Sequence, residues 1–326
     1  MSARDTIATL QARMEESIIG QRDLIRQMIV GLLANGHLLL ESLPGLAKTR
    51  AVKSMAKNLD ADMRRIQFTP DLLPSDITGT EVLHQQGGQN VFQFQPGPIF
   101  GNVILADEIN RAPAKVQAAL LEAMEERQIT VAGTTHKMPD LFIVMGTQNP
   151  IEQEGTYPLP EAQLDRFLMK VLVDYPDKDS EIGVLELVRG EEVGASASKG
   201  TESRAPIEPA SVFDARGEIH AIHVAPAIEQ YVMALVDATR HPANYDKQLA
   251  TWIQVGSSPR GGISLERTSR VHAWLEGRDH VTPDDVRAMV HPVLRHRIIL
   301  SYDASAEGVH ADQVIDKILE LVAVPA

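Results

Sequence analysis

The most constraining stretch of this 326-residue chain is a short apolar run, His37-Leu38-Leu39-Leu40, which breaks at a small loop and resumes as a helical segment from Lys48. Strand, Gly-containing loop and helix is the order that a phosphate-cradling loop requires, because backbone N–H groups and a helix N-terminus then converge on one anion. The alternation repeats. Residues 63–68, 103–106, 141–146 and 169–173 read as further short strands, and 48–59, 114–127 and 160–167 as helices. Such alternation predicts an α/β fold with a mostly parallel sheet covered on both faces. Upstream, 5–17 places Ile7, Leu10 and Met14 at helical spacing, and 22–34 does the same with Leu24, Ile25, Met28, Ile29 and Leu32. Two segments interrupt the pattern. Residues 72–101 are rich in Gly, Gln and Pro and alternate at Val91, Phe92 and Phe94, which suits a hairpin, and 128–137 suits another with Gly133 at its turn.

Composition shifts near Gly190. The small polar stretch 194–203 reads as a linker or mobile loop, and beyond it no strand pattern is clear. Segments 227–239, 265–275, 283–290 and 311–322 read as helices. Thr282-Pro283-Asp284-Asp285 is a helix start, with a Thr cap, Pro at the first position and acids in the first turn. The expected division is an α/β nucleotide-binding domain over 1–190, a linker over 191–212 and a small helical domain over 213–326.

The chemistry-bearing residues lie at the ends of the predicted strands. In the loop, Pro44, Gly45, Leu46 and Ala47 precede Lys48-Thr49-Arg50. Backbone amides there would wrap phosphates, Lys48 would reach the terminal ones and Thr49 would hold Mg²⁺. Ser42 and Ala47 stand where the general pattern G-x-x-x-x-G-K-[ST] has glycine. Both are small, so backbone can still approach a phosphate closely. The second element is Val103-Ile104-Leu105-Ala106-Asp107-Glu108, an apolar strand delivering two carboxylates to the C-terminal edge of the sheet, where ligand sites form. Asp107 would sit beside the metal and Glu108 would polarise the attacking water. Asn149, before Pro150, could hold that water or be a turn residue. Arg166 could stabilise transferring phosphate as an arginine finger, or pair with Asp165 or Glu161. Arg260, at a helix start in the second domain, could report on bound phosphate from the lid side, or be a solvated loop arginine.

Bulk properties narrow the alternatives. The longest apolar runs are too short to cross a bilayer, and the N-terminus lacks an apolar signal core, so a cytoplasmic location is expected. The absence of cysteine excludes a disulfide framework and thiolate metal sites. The eleven histidines show no tight spacing with acids that would fix a ligand set. A net charge of −13 argues against nucleic acid, leaving only Arg64-Arg65 and Arg295-His296-Arg297 as local basic candidates.

The ordered segments 43–49, 95–100, 107–112, 146–150, 159–167 and 258–260 resemble the MoxR family of AAA+ ATPases, and the likeness covers most of the chain. Ala47 is a common variant in that family, and Ser42 departs from its glycine. The resemblance implies a P-loop AAA+ core followed by a C-terminal α-helical lid domain. By position it makes Lys48 and Thr49 the Walker A pair and Asp107 and Glu108 the Walker B pair. Asn149 would be sensor 1, Arg166 the trans-acting finger and Arg260 sensor 2. Ile18-Ile19-Gly20-Gln21 looks like the segment that packs on adenine, 83–94 like the helix-2 insert, and 128–137 like the hairpin before sensor 1. It further implies ATP and Mg²⁺, a homo-hexameric ring, and chaperone-like remodelling or assembly of protein clients with a partner bearing a von Willebrand A domain. The rivals kept beside this reading are an AAA+ motor on nucleic acid and a nucleotide-controlled scaffold with little turnover.

Overall fold

In a computed structural model the described residues are 2–43, 45–86, 89–150, 155–196 and 204–325. Two helices come first, α1 (Ala3–Ser17), capped by the Ser2 hydroxyl accepting from the Asp5 N–H, and α2 (Arg22–Leu33). β1 (Leu38–Ser42) leads through the loop into α3 (Lys48–Asn58), and β2 (Met63–Gln67) into a short α4 (Pro74–Thr78). The first expected hairpin is formed by β3 (Gly79–Gln86) and β4 (Gln89–Pro96). β5 (Val103–Asp107) passes through a 3-10 turn, Ile109–Arg111, into α5 (Ala114–Glu126). A second hairpin, β6 (Gln128–Val131) and β7 (Thr134–Lys137), turns at Ala132 and Gly133, both at positive φ, before β8 (Ile143–Gln148). The one-turn α6 (Glu161–Leu164), β9 (Met169–Val173) and α7 (Lys178–Ser196) follow.

β2, β5, β8, β1 and β9 form, in that order, a five-stranded sheet whose paired strands are all parallel. Every strand therefore ends on the same edge. Alternation along the strands splits their apolar residues between two cores. Leu38, Leu40, Val103, Leu105, Ile143 and Met145 face α1, α2 and α3, while Leu39, Ile104, Ala106 and Val144 face α5 through Val116, Leu120 and Met124. Both faces are covered, as the near-continuous apolar strands required.

The C-terminal part is α8 (Ala210–His220), α9 (Pro226–Arg240), α10 (Lys247–Trp252), α11 (Pro259–Leu275), α12 (Pro283–Leu294), α13 (Tyr302–Ala306) and α14 (Ala311–Leu321). It also holds a small antiparallel pair, β10 (Ile253–Val255) and β11 (Ile299–Leu300), that the sequence reading lacked. Runs of three and two residues are too short to show a period. The expected start of α12 is present: the Asp285 carboxylate accepts from the Thr282 N–H and hydroxyl, both at 2.8 Å.

The stretch 191–212, expected as a linker, is helical at both described ends, since α7 runs to Ser196 and α8 begins at Ala210; 197–203 lie outside the described residues. At 207 the chain is already fastened to the core. Ile207 is buried and its N–H donates to the Asn58 carbonyl at 2.7 Å. The helical part packs behind the sheet: α8 against α1 and α2, α11 against α2, and α12 against β9. A shared apolar core runs through both parts.

Candidate functional site

The loop after β1 ends with Gly45 at φ +88° and Ala47 at φ +52°, and α3 starts at Lys48 with no side-chain cap and no acid in its first turn. The first amides of α3 are thus left for an external acceptor, as an anion site requires. A Cβ at Gly45 would meet nothing within 4 Å, so there the left-handed backbone, not crowding, favours glycine. Burial pulls the Lys48 ammonium below the ordinary lysine value, and Asp107 and Glu108, facing it, pull it back up. Thr49 follows on α3, whereas Arg50 turns away, donating through Nε to the Ser17 carbonyl at 2.7 Å. Pro44 lies outside the described residues.

Asp107 closes β5 and Glu108 follows in the left-handed region, at φ +57°, a conformation that non-glycine residues hold at some cost. Thr147 of β8, fully buried, pins both: its hydroxyl donates to Asp107 Oδ1 at 2.7 Å and accepts from the Glu108 N–H at 2.8 Å. Arg65 Nη2 reaches Asp107 Oδ2 at 2.6 Å and Gln67 Oε1 at 2.9 Å. Gln67 Nε2 donates in turn to Glu108 Oε2 at 2.8 Å, beside Arg111 Nε at 3.1 Å. Arg65 and Gln67 are two apart on edge strand β2, so both side chains fall on one side of it. Asn149 lies one residue beyond β8, on the same edge as the acids.

Beside the loop, Ile18, Ile19, Gly20 and Gln21 face Asp174, Tyr175, Asp177 and Ser180 across a cleft of about 760 Å³. Its size falls within the range of small-molecule sites. Gly20 is required twice over: its φ is +77°, and a Cβ would lie 2.6 Å from those of Pro176 and Ser180. Gln21 Nε2 donates to the Asp174 carbonyl at 2.8 Å, tying the segment to the end of β9. A second cavity of about 370 Å³ joins Gly45 and Leu46 to Tyr175, Val184 and Leu185.

Arg166 and Arg260 are not at this edge. Arg166 lies before β9, and Leu168 N–H bonds to the carbonyl of His37, which precedes β1. The phosphate loop is at the other end of β1, about 15–20 Å away for five residues at about 3.3 Å each. Arg260, expected on the lid side of the phosphates, comes to Arg166 instead. A cavity of about 320 Å³ is lined by Arg127, Arg166, Arg260, Arg267 and Arg297 together with Glu125 and Asp165. Glu125 Oε2 lies 2.7 Å from Arg166 Nε, and its Oε1 meets Arg260 Nη2. Asp165 accepts from Ser258 Oγ at 2.7 Å and from Arg297 Nε at 2.9 Å. Neither Asp165 nor Glu161 is the partner of Arg166. The lid is displaced because α11 packs on α2, behind the sheet, which sends its first turn to the N-terminal ends of the strands.

The two basic candidates are neutralised internally. Arg64 pairs with Asp62 and Arg65 with Asp107. Arg295 pairs with Asp312, and Arg297 is buried, donating to the carbonyl of Phe167 at 2.6 Å. Sequence reading missed Gln67, Glu125 and Thr147, because register and helix packing, not spacing along the chain, bring them to the sites.

Known proteins match this geometry. The family described as "ATPase family associated with various cellular activities (AAA)" matches residues 37–169, and an AAA lid domain matches 248–318. Chaperone MoxR1 of Mycobacterium tuberculosis is 44% identical over 309 residues, spanning 94% of this chain and 79% of that one. Protein MoxR of Paracoccus denitrificans is 33% identical over 329 residues, 97% and 95% of the two chains. The crystal structure of an ATPase candidate from Cytophaga hutchinsonii superposes with a TM-score of 0.89 at 43% identity, covering 99% of this chain and 96% of that one. Parallel sheet, phosphate loop, paired acids and helical lid define a nucleotide-binding AAA+ ATPase. Within that class the chain belongs to the MoxR family, and it is an ATP-hydrolysing enzyme. No helix among the described residues is long and apolar enough to cross a membrane.

Proposed function

We propose that the chain hydrolyses ATP·Mg²⁺ at sites shared between neighbouring copies in a ring, read as a hexamer, and uses the cycle to remodel or assemble protein clients. One observation carries the shared site: Lys48, Asp107 and Glu108 lie at one edge of the sheet, and Arg166 and Arg260 at the other. No chain can bring its own arginines to its own phosphates, but head-to-tail packing closes a ring in which every copy does so for the next.

In this reading the loop amides of Gly45, Leu46 and Ala47 cradle the phosphates, Lys48 neutralises the terminal pair, and the adenine lies against Ile18–Gln21. The oxygen donors Thr49 and Asp107 suit Mg²⁺, and Asp107 already holds a cationic partner, Arg65, that a metal would replace. The metal would supply charge neutralisation across the phosphates. Glu108 takes a proton from the attacking water as its oxygen bonds to the terminal phosphorus, and Asn149 orients that water. The bond to the bridging oxygen breaks, ADP leaves, and the neighbour's Arg166 stabilises the charge on the transferring group. For clients, or a partner bearing a von Willebrand A domain, the exposed surface is the β3–β4 hairpin, where Leu83, Val91 and Phe92 are 51%, 46% and 67% exposed.

The test mixes two inactive proteins, Arg166→Ala and Lys48→Ala. Hybrid interfaces pairing an intact loop with an intact arginine should regain phosphate release. No recovery despite demonstrated subunit exchange would sink the shared site.

A further inference from the structure

The structure assigns to Glu125 the task of positioning Arg166 and Arg260, holding the core arginine and the lid arginine as one unit for the neighbouring phosphates; this rests on the shared-site reading above.

Five arginines line the cavity at the N-terminal edge of the sheet, with only Glu125 and Asp165 as carboxylates among the lining residues. Asp165 is committed to Ser258 and to the buried Arg297, and its distance to Arg260 Nη1 is 3.6 Å. Glu125 is the group that bridges: one oxygen meets Arg166, the other Arg260. The two arginines come from different parts of the chain, Arg166 before β9 and Arg260 in the first turn of α11. Like charges brought this close repel unless a counter-charge lies between them.

The contact with Arg166 runs through Nε, the inner side of the guanidinium. Its Nε–H is not aligned for a hydrogen bond, so the attraction is between charges. Gripping that side steers the terminal fork, which is the part that recognises a phosphate. Glu125 is also on a rigid mount. It lies in the last turn of α5, the helix that starts just after the turn following Glu108, and α5 is anchored by Val116, Leu120, Leu121 and Met124. Rigid mounting is what positioning demands, since small displacements of a catalytic group cost rate steeply. The pair is partly exposed, at 31% for Glu125 and Arg166 and 45% for Arg260, so it adds little to folding stability.

The experiment is steady-state ATP hydrolysis by Glu125→Gln, which keeps the shape and removes the charge. The expected result is a fall in kcat of about tenfold or more, with KM for ATP within about twofold and the melting temperature unchanged. Glu125→Asp, retaining the charge on a shorter arm, should recover part of the rate. Mixed with Lys48→Ala, which keeps intact arginines, Glu125→Gln should be rescued as Arg166→Ala is, an outcome a general folding defect would not give. If the Arg166→Ala and Lys48→Ala mixture recovers activity while Glu125→Gln alone turns over at the parent rate, the positioning role fails and the shared site stands. If that mixture recovers nothing, the shared site itself fails. Should Glu125→Gln not fold, a double-mutant cycle of the charge-keeping Arg166→Lys and Arg260→Lys decides: independent, additive losses would overturn the pairing.

Discussion

At the C-terminal edge of the sheet, two carboxylates face a half-buried lysine; at the N-terminal edge, five arginines face two carboxylates. The first edge is built from residues at strand ends, steadied by Thr147, Arg65 and Gln67. The second is built where core and lid meet, and Arg297 and Asp165 there also join the two parts. The contrast teaches that function and architecture are separable at one edge and merged at the other. Neutralising a carboxylate of the acidic edge should cost turnover alone; removing Arg297 should cost stability.

The largest effect should come from Glu108→Gln. In the proposed mechanism Glu108 is the general base, so this change should lower kcat by about 10³-fold with nucleotide binding and melting temperature retained, and unchanged phosphate release would remove Glu108 from the chemistry. Next is Arg297→Ala. With its side chain 1% exposed and Asp165 left without its partner, it should cost about 3 kcal/mol in urea unfolding, and a loss below about 1 kcal/mol would break the contrast. Thr147→Val is smaller. It keeps the shape but frees Asp107 and the Glu108 amide, and should lower kcat about tenfold while costing about 1–2 kcal/mol of stability.

A further effect should come with pH. Burial holds His37 far below 6.5, at about 3, with Arg127 adding to the shift, and holds His296 well below 6.5 too. His37 is fixed neutral, its Nδ1 accepting from the Val144 N–H at 2.9 Å and its Nε2 donating to the Met124 carbonyl at 3.1 Å. Below pH 6.5 the unfolded chain takes up protons that the folded chain refuses. Stability should therefore be full above pH 6.5 and decline as pH falls towards 5, before most carboxylates titrate. A urea midpoint that stays level between pH 7 and pH 5 would contradict this. Both histidines lie at the N-terminal edge, so acid should weaken that side of the molecule first.

Much of this was legible beforehand. Strand, loop and helix around Lys48, and the apolar strand ending in Asp107-Glu108, could be read because backbone geometry ties short-range spacing to a place in the fold. Both hairpins announced themselves by alternation and turn residues. Glu125, Arg166 and Arg260 could not be read together, since Glu125 and Arg260 are 135 residues apart and meet only because α11 packs on α2. Thr147 was hidden for a related reason: β8 lies beside β5 through register, pairing Ala106 with Gly146.

The sequence by itself determined the doubly covered parallel sheet, the strand, loop and helix around Lys48 and the acids at the sheet's edge, because apolar periodicity and strand ends are local properties. Only the tertiary structure decided where the lid lies, and with it the edge at which Arg166 and Arg260 lie. That choice rests on burial of α8, α11 and α12 against α1, α2 and β9, a sum of many weak contacts that no single motif encodes.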